Sequence, residues 1–245
     1  MRCSRMLNGL GHVLLRGGLV GDDMSTEYRR VDGNPRSRII CFLPWCMPYR
    51  LAKTVGLVPC DYLACYEMPG AIVSSEPELC IRALRAVADD ALLVMHRARL
   101  SPDEVLVVGL SIGNAVATYF ANSVGAQLCS IASADRGDLT LWESPASRHI
   151  KLRAESKGYR LEDFTEAIRG YHSIDNLSNL GAGSRFIIGT RDEFVPEPRR
   201  NGLIAAVRRE LPQSEITFLE ETHIGTMAAA LKQGIASLEA DKLRA

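Results

Sequence analysis

The chain contains 245 residues, 47% of them hydrophobic, and its formal net charge is zero, from 29 basic and 29 acidic residues. This length and composition predict a single domain over residues 1–245 with one large core. The balanced charge argues against nucleic acid and anionic membrane as partners, and no apolar run is long enough to cross a bilayer.

The first 23 residues are predicted to form an N-terminal arm with a partly helical pattern. Polar side chains interrupt its apolar residues and no small-residue cleavage pattern follows, so we expect no secretory signal. Seven cysteines, an odd number without close pairing, indicate reduced thiols and a cytoplasmic location.

Strand-like segments alternate with helix-like segments from residue 25 onwards. Strands are predicted at 25–31, 38–43, 61–66, 105–108, 126–132, 185–189 and 215–219. Helix-like patterns cover 49–58, 76–99 and the residues after 113. In the segment 76–99, hydrophobic residues recur at helical spacing between Cys80 and Met95 and form one apolar face. The alternation predicts an α/β fold with a doubly wound, mostly parallel sheet that helices cover on both faces.

A group of four cysteines near the first strands could form a metal site; these are Cys41, Cys46, Cys60 and Cys65. Their four-residue gaps lie within or beside apparent strands, which is poor spacing for tetrahedral coordination. Ordinary buried cysteines are the better interpretation. We therefore expect neither a metal nor another cofactor.

The segment Gly109–Gly113 has the pattern Gly-x-Ser-x-Gly between a Val-rich run and a helix-like segment that begins with small residues. This context is typical of a nucleophile elbow, in which the serine, here Ser111, occupies a strained turn that exposes its hydroxyl. The positions two before and two after the serine are crowded, which explains both glycines. Ala115 and Ala117 would let the following helix pack close to the sheet.

Two further polar residues follow predicted strands. Asp192 comes just after the strand 185–189, and His223 comes just after the strand 215–219. Loops at the carboxyl ends of parallel strands are where open sheets build their sites. The chain order of serine, aspartate and histidine is that of an α/β-hydrolase triad.

On these residues the chain resembles the α/β-hydrolase-fold serine hydrolases, with an esterase or thioesterase character, over residues 38–238. The resemblance is strongest at the elbow and at the segment from Gly189 to Pro196, and it departs from many relatives at Thr222, where they carry glycine. It implies a catalytic triad of Ser111, Asp192 and His223.

An oxyanion hole for the reaction is expected from two backbone N–H groups. The first belongs to Ile112, the residue after the nucleophile. The second should come from the loop after strand 38–43, where Pro44 has no N–H and Trp45 is the candidate donor. Many relatives have His-Gly at this loop, so the second donor stays open.

Alternatives remain for the acid and for the histidine. Glu193 is adjacent to Asp192, and Asp135 and Asp138 follow an earlier strand at which some relatives place the acid. Asp192 is preferred because a short carboxylate at the first bend of its loop needs little ordering. The other histidines do not follow a recognisable strand; they are His12, His96, His149 and His172.

A polar, helix-rich stretch at 138–179 separates two predicted strands and is interpreted as a lid, with structural helices as the alternative. We expect Trp142 or Phe164 to line the acyl pocket beneath it. The stretch also contains a basic cluster, interpreted either as a solvated face or as a site for a phosphate or carboxylate; its members are Arg148, Lys151, Arg153, Lys157 and Arg160.

The predicted function is hydrolysis of a carboxylic ester or thioester of a small-molecule substrate through an acyl-enzyme intermediate. One alternative is an acyltransferase with the same triad. Another is a ligand-binding protein that has kept the fold without the activity. The sequence determines neither the acyl chain, the leaving group nor the oligomeric state.

Overall fold

The computed structural model describes residues 24–242, with side chains described as far as residue 232. The predicted N-terminal arm at 1–23 lies outside the described residues. Seven strands are present in the described part: β1 (Arg29–Asp32), β2 (Ile39–Phe42), β3 (Ala64–Glu67), β4 (Leu106–Leu110), β5 (Gln127–Ile131), β6 (Arg185–Gly189) and β7 (Glu215–Leu219). They form one sheet in the order β1-β3-β2-β4-β5-β6-β7.

The sheet is parallel except at one edge, where β1 pairs antiparallel with β3. The α-helices of the described residues are α1 (Tyr49–Thr54), α2 (Pro77–Arg97), α3 (Gly113–Val124), α4 (Gly137–Glu143), α5 (Arg148–Ser156), α6 (Leu161–Ala167), α7 (Glu197–Glu210) and α8 (His223–Lys242). The predicted doubly wound, mostly parallel sheet of an α/β fold is therefore confirmed.

Hydrophobic side chains of the central strands alternate between the two faces of the sheet, as the strand period of two requires. Val107 of β4 packs into the core under α2, α3 and α7, whereas Leu106 and Val108 pack into the core under α1 and α8. Both faces of the central strands are buried, which is why these strands read as continuous apolar runs.

The first strand is shorter than predicted and begins later, at Arg29 instead of residue 25. The carbonyl oxygen of Ser25 accepts a hydrogen bond from the N–H of Ala71, which lies in the 3-10 helix Gly70–Val73. The chain before β1 is thus bonded to a helix and not to a neighbouring strand. The strands β6 and β7 have the predicted bounds.

The stretch between β5 and β6 forms α4, α5 and α6, together with the 3-10 helices Pro145–Ser147 and Ser173–Asp175. Three short α-helices therefore occupy the predicted insertion, and its gating role stays a prediction. Across residues 24–242, none of the helices combines the length and apolarity needed to span a membrane.

Candidate active site

Ser111 lies at the turn between β4 and α3 with φ of 53°, a left-handed conformation that is costly for a residue with a side chain. Both flanking glycines are required by close packing. A Cβ at Gly109 would lie 2.7 Å from the Cβ of Ala117, and a Cβ at Gly113 would lie 2.7 Å from the carbonyl oxygen of Leu43. The elbow is thus clamped between its own helix and the end of β2.

The side chain of Asn114 ties this turn to the neighbouring strand. Its Nδ2 donates to the carbonyl oxygens of Ser111 at 2.9 Å and Ile131 at 2.7 Å. The N–H of Ser111 also donates to Ile131, at 3.0 Å. The sequence analysis did not identify Asn114; its only signal is a polar residue, buried in the structure, in the first turn of an apolar helix.

His223 is the first residue of α8, and its ring contacts the other two predicted residues. Its Nε2 lies 2.7 Å from Ser111 Oγ, and its Nδ1 lies 2.7 Å from Asp192 Oδ2. Thr222 Oγ1 accepts a hydrogen bond from the N–H of Gly225, so the threonine caps the helix that carries the histidine. This cap is a physical reason for a threonine at position 222.

The carboxylate of Asp192 is held rigidly in the loop after β6. Its Oδ1 accepts hydrogen bonds from the N–H groups of Phe194 and Val195, both at 2.9 Å. Burial acts to raise the pKa of Asp192, but the hydrogen bond and charge of His223 and these two N–H groups outweigh it, and the pKa is lowered. Asp192 is therefore a carboxylate that can orient and stabilise a charged imidazole.

The loop of Asp192 is fixed by Arg200, which no sequence pattern marks, and by close packing at Gly189. Arg200 Nη1 donates to the carbonyl oxygens of Asp192 and Val195 at 2.8 and 2.6 Å. Gly189 ends β6 at a point where a Cβ would overlap Thr226 of α8. The absence of a side chain there lets α8 approach β6, which brings its histidine to the aspartate.

The alternative acids have other partners. Glu193 is exposed and accepts a hydrogen bond from the backbone N–H of His223 at 3.1 Å. Asp135 lies 3.5 Å from Arg199 of α7, and Asp138 accepts a hydrogen bond from Thr165 at 2.6 Å. Neither Asp135 nor Asp138 lines the cavity that contains Ser111.

Among the other described histidines, neither His96 nor His172 lines the cavity that contains Ser111. His12 lies outside the described residues, and His96 is exposed on α2. His172 is buried, 3.7 Å from Asp138. His149 lines the same cavity as Ser111, and its ring stacks on Trp45 with centroids 6.0 Å apart.

The predicted oxyanion residues both lie at the cavity that contains Ser111. Because Gly113 packs against the carbonyl oxygens of Phe42 and Leu43, the start of α3 lies directly beside the loop after β2. That packing brings the loop that carries Trp45 close to the turn that carries Ile112. Cys46, the next residue, has φ of 55° and turns the loop.

The cavity has a volume of about 730 Å³ and mainly apolar walls. Leu141, Leu152 and Ile168 of the insertion form one wall, and Ile72, Ile81 and Leu84 form another. The insertion at 138–179 therefore borders the site of Ser111. His223, Phe194 and Met227 close the cavity near the nucleophile.

The expectation that Trp142 or Phe164 lines this cavity is wrong. Phe164 is fully buried, its ring lies 5.2 Å from that of Trp142, and neither residue reaches the cavity wall. The two aromatic side chains join α4 to α6 behind the wall, because the apolar faces of these short helices pack on each other. Leu141 and Ile168 line the cavity in place of these two aromatic residues.

Cys41, Cys60 and Cys65 of the metal alternative are free thiols, and Cys41 and Cys65 are neighbours on β2 and β3. The hydrogen bond that the Cys41 thiol donates to Cys65, together with burial, raises the pKa of Cys41, so this thiol stays protonated. Within residues 24–242, no group of three or more possible protein ligands for a metal ion was found.

The fold is shared with solved structures, whereas no family model and no curated protein sequence matches the chain. An acylaminoacyl peptidase from Pyrococcus horikoshii superposes with a TM-score of 0.58 at 10% identity, over 88% of this chain and 39% of that protein. An esterase from Pyrococcus furiosus superposes with a TM-score of 0.51 at 12% identity, over 89% of this chain and 92% of that protein.

A third similar structure is dipeptidyl peptidase 4 from Porphyromonas gingivalis, with a TM-score of 0.53 at 11% identity, over 87% of this chain and 33% of that protein. The chain thus spans about two fifths of the length of the acylaminoacyl peptidase and a third of that of the dipeptidyl peptidase. These likenesses establish that the chain has the α/β-hydrolase fold.

Proposed function

We propose that the protein is a serine hydrolase that cleaves a carboxylic ester or thioester through an acyl-enzyme intermediate. The observation that carries the proposal is the continuous contact from Asp192 through His223 to Ser111, with both distances at 2.7 Å, at the wall of an apolar cavity. A serine hydroxyl becomes nucleophilic when a neighbouring base accepts its proton and a third group orients that base.

In the first step, Ser111 Oγ attacks the substrate carbonyl carbon while its proton passes to His223 Nε2. Asp192 Oδ2 accepts a hydrogen bond from the Nδ1–H group of the same ring and stabilises the imidazolium. The negative charge on the carbonyl oxygen is met by the backbone N–H groups of Ile112 and Trp45. As the tetrahedral intermediate collapses, the bond to the leaving alcohol or thiol breaks and His223 returns the proton to it.

In the second step, His223 removes a proton from water, and the hydroxide attacks the acyl-enzyme carbonyl. The bond between the acyl carbon and Ser111 Oγ then breaks, the serine recovers its proton, and a carboxylic acid leaves. The apolar walls of the cavity support an acyl group as the part of the substrate that they bind, because burial of each CH₂ contributes about 0.8 kcal/mol.

The proposal is tested with a fluorophosphonate probe and a series of p-nitrophenyl esters of increasing chain length. Wild-type protein should be labelled and should release p-nitrophenol with a burst, whereas Ser111→Ala should do neither while remaining folded. Ser133→Ala is the matched control, because Ser133 lines the same cavity without contacting His223. It should be labelled like the wild type.

Three results would contradict the proposal. Equal labelling of wild type and Ser111→Ala would show that another residue reacts, and no labelling of folded wild type would favour a ligand-binding protein. An acyl-enzyme that forms but transfers its acyl group to an added alcohol in preference to water would identify an acyltransferase.

A further inference from the structure

The charged side chains that line the cavity have one sign. Apart from its histidines, the charged lining residues are Arg148 and Arg153, and no aspartate or glutamate occurs among the described lining residues. Asp192 contacts the histidine ring at Nδ1, on the side opposite to Ser111. Apolar walls beside positive charge that no carboxylate balances strengthen the electrostatic interaction of this charge with a bound ligand.

One helix supplies both arginines. The residues of α5 that reach the cavity are Arg148, His149, Leu152 and Arg153, a spacing that puts them on one helical face. The opposite face carries Ile150 and Ala154, which are fully buried. Stacking of His149 on Trp45 fixes α5 against the loop after β2. The basic face is therefore held at the site by packing on two sides.

The two lysines of the basic cluster have partners outside the cavity. Lys151 lies 3.8 Å from Glu155 and 5.6 Å from the ring of Trp142, and Lys157 lies 2.9 Å from Glu76. Neither lysine lines the cavity. Lys151 and Lys157 thus pair with carboxylates outside the cavity, whereas Arg148 and Arg153 border the site.

Among the described residues, Arg148 has no partner in an ion pair, and its side chain is exposed at the cavity. It is also the first residue of α5, whose first turn contains no acid. A cation there is repelled by the positive end of the helix macrodipole. Packing and helix stability therefore give no reason for an arginine at this position.

We propose that the substrate of this site carries an anionic group besides its acyl group, and that Arg148 binds this group. The proposal rests on the hydrolase function proposed above. A guanidinium binds carboxylate and phosphate equally well through two parallel hydrogen bonds. The anion is thus either a carboxylate on the acyl chain or a phosphate in the leaving group.

Two matched pairs of substrates distinguish these sources. The carboxylate pair is p-nitrophenyl hydrogen adipate against p-nitrophenyl hexanoate, and the phosphate pair is hexanoyl-coenzyme A against hexanoyl-N-acetylcysteamine. The variants are Arg148→Gln and Lys151→Gln. Both remove one positive charge from the same helix, but only the first lies at the cavity.

For one of the two pairs, Arg148→Gln should lower the ratio of kcat/KM for the anionic over the neutral substrate by about tenfold. Lys151→Gln should change the same ratio by less than about twofold. In the wild type, the preference should weaken as salt is added, because the arginine is exposed.

The proposal is overturned if neither ratio depends on Arg148, or if Lys151→Gln lowers the ratio as much as Arg148→Gln does. Failure of the hydrolase function itself would appear differently, as no turnover and no labelling with any substrate. In that case, calorimetric binding of the adipate monoester to Ser111→Ala, with and without Arg148→Gln, tests the anion site alone. Equal affinities would then refute it.

Discussion

Replacing Asp192 by asparagine tests how the histidine is oriented, because the structure fixes which way the new amide must face. The N–H groups of Phe194 and Val195 both point at Asp192 Oδ1, at 2.9 Å. The amide of Asp192→Asn must keep its carbonyl oxygen at this position, since an NH₂ group there would face two donors. Its NH₂ group then faces His223 Nδ1.

The consequence is the wrong histidine tautomer. An NH₂ donor opposite Nδ1 makes that nitrogen an acceptor, so the ring proton resides on Nε2, which faces Ser111 Oγ at 2.7 Å. A protonated Nε2 cannot accept the serine proton. We expect turnover to fall about ten-thousandfold, as for the equivalent change in a serine protease, which corresponds to about 5.4 kcal/mol of activation free energy.

The assay is the burst and the steady-state rate of p-nitrophenyl ester hydrolysis, with the free energy of unfolding measured in parallel. Glu193→Gln is the control, because Glu193 is exposed and a glutamine oxygen can still accept the N–H of His223. It should retain the wild-type rate within about twofold. The reasoning is refuted if Asp192→Asn stays within tenfold of the wild type, or if only Asp135→Asn is inactive.

Three further changes probe the elbow, the pH response and the insertion. Gly113→Ala would put a Cβ against the carbonyl oxygen of Phe42. The free energy of unfolding, measured in urea, should therefore fall by about 1–3 kcal/mol or more, and activity should be lost as well. Gly137→Ala is the control and should be nearly neutral, because its Cβ would meet nothing within 4 Å. Burial lowers the pKa of His172, so its contribution to stability is present above pH about 6.5 and is lost as the pH falls further. The free energy of unfolding of His172→Gln should therefore depend less on pH below about pH 6.5 than that of the wild type, by at most about 1.4 kcal/mol per pH unit, and an unchanged slope would contradict the assignment. Phe164→Ala should reduce the free energy of unfolding by about 3–5 kcal/mol, because the side chain is fully buried. A change in the preferred acyl chain length without that loss of stability would contradict the placement of Phe164 behind the cavity wall.

Local patterns in the sequence were sufficient to predict the strands of the sheet and three side chains of the site. Ser111, Asp192 and His223 each follow directly after a strand that is readable as an apolar or alternating run. In a parallel sheet the carboxyl ends of all strands lie on the same side of the sheet. The three residues are therefore close together because each one follows a strand. The departure at β1 is also local in origin, since a polar edge strand carries a weak pattern.

Only the tertiary structure decided which side chains support and surround these residues. Asn114 and Arg200 bond to carbonyl oxygens of the site, and no sequence period marks such contacts. In the insertion, aromatic residues were the natural candidates for the cavity wall, yet Phe164 is buried between helices and Arg148 reaches the cavity. A short helix has an apolar face that either a ligand or another helix can cover, and the packing of neighbouring helices determines which one does.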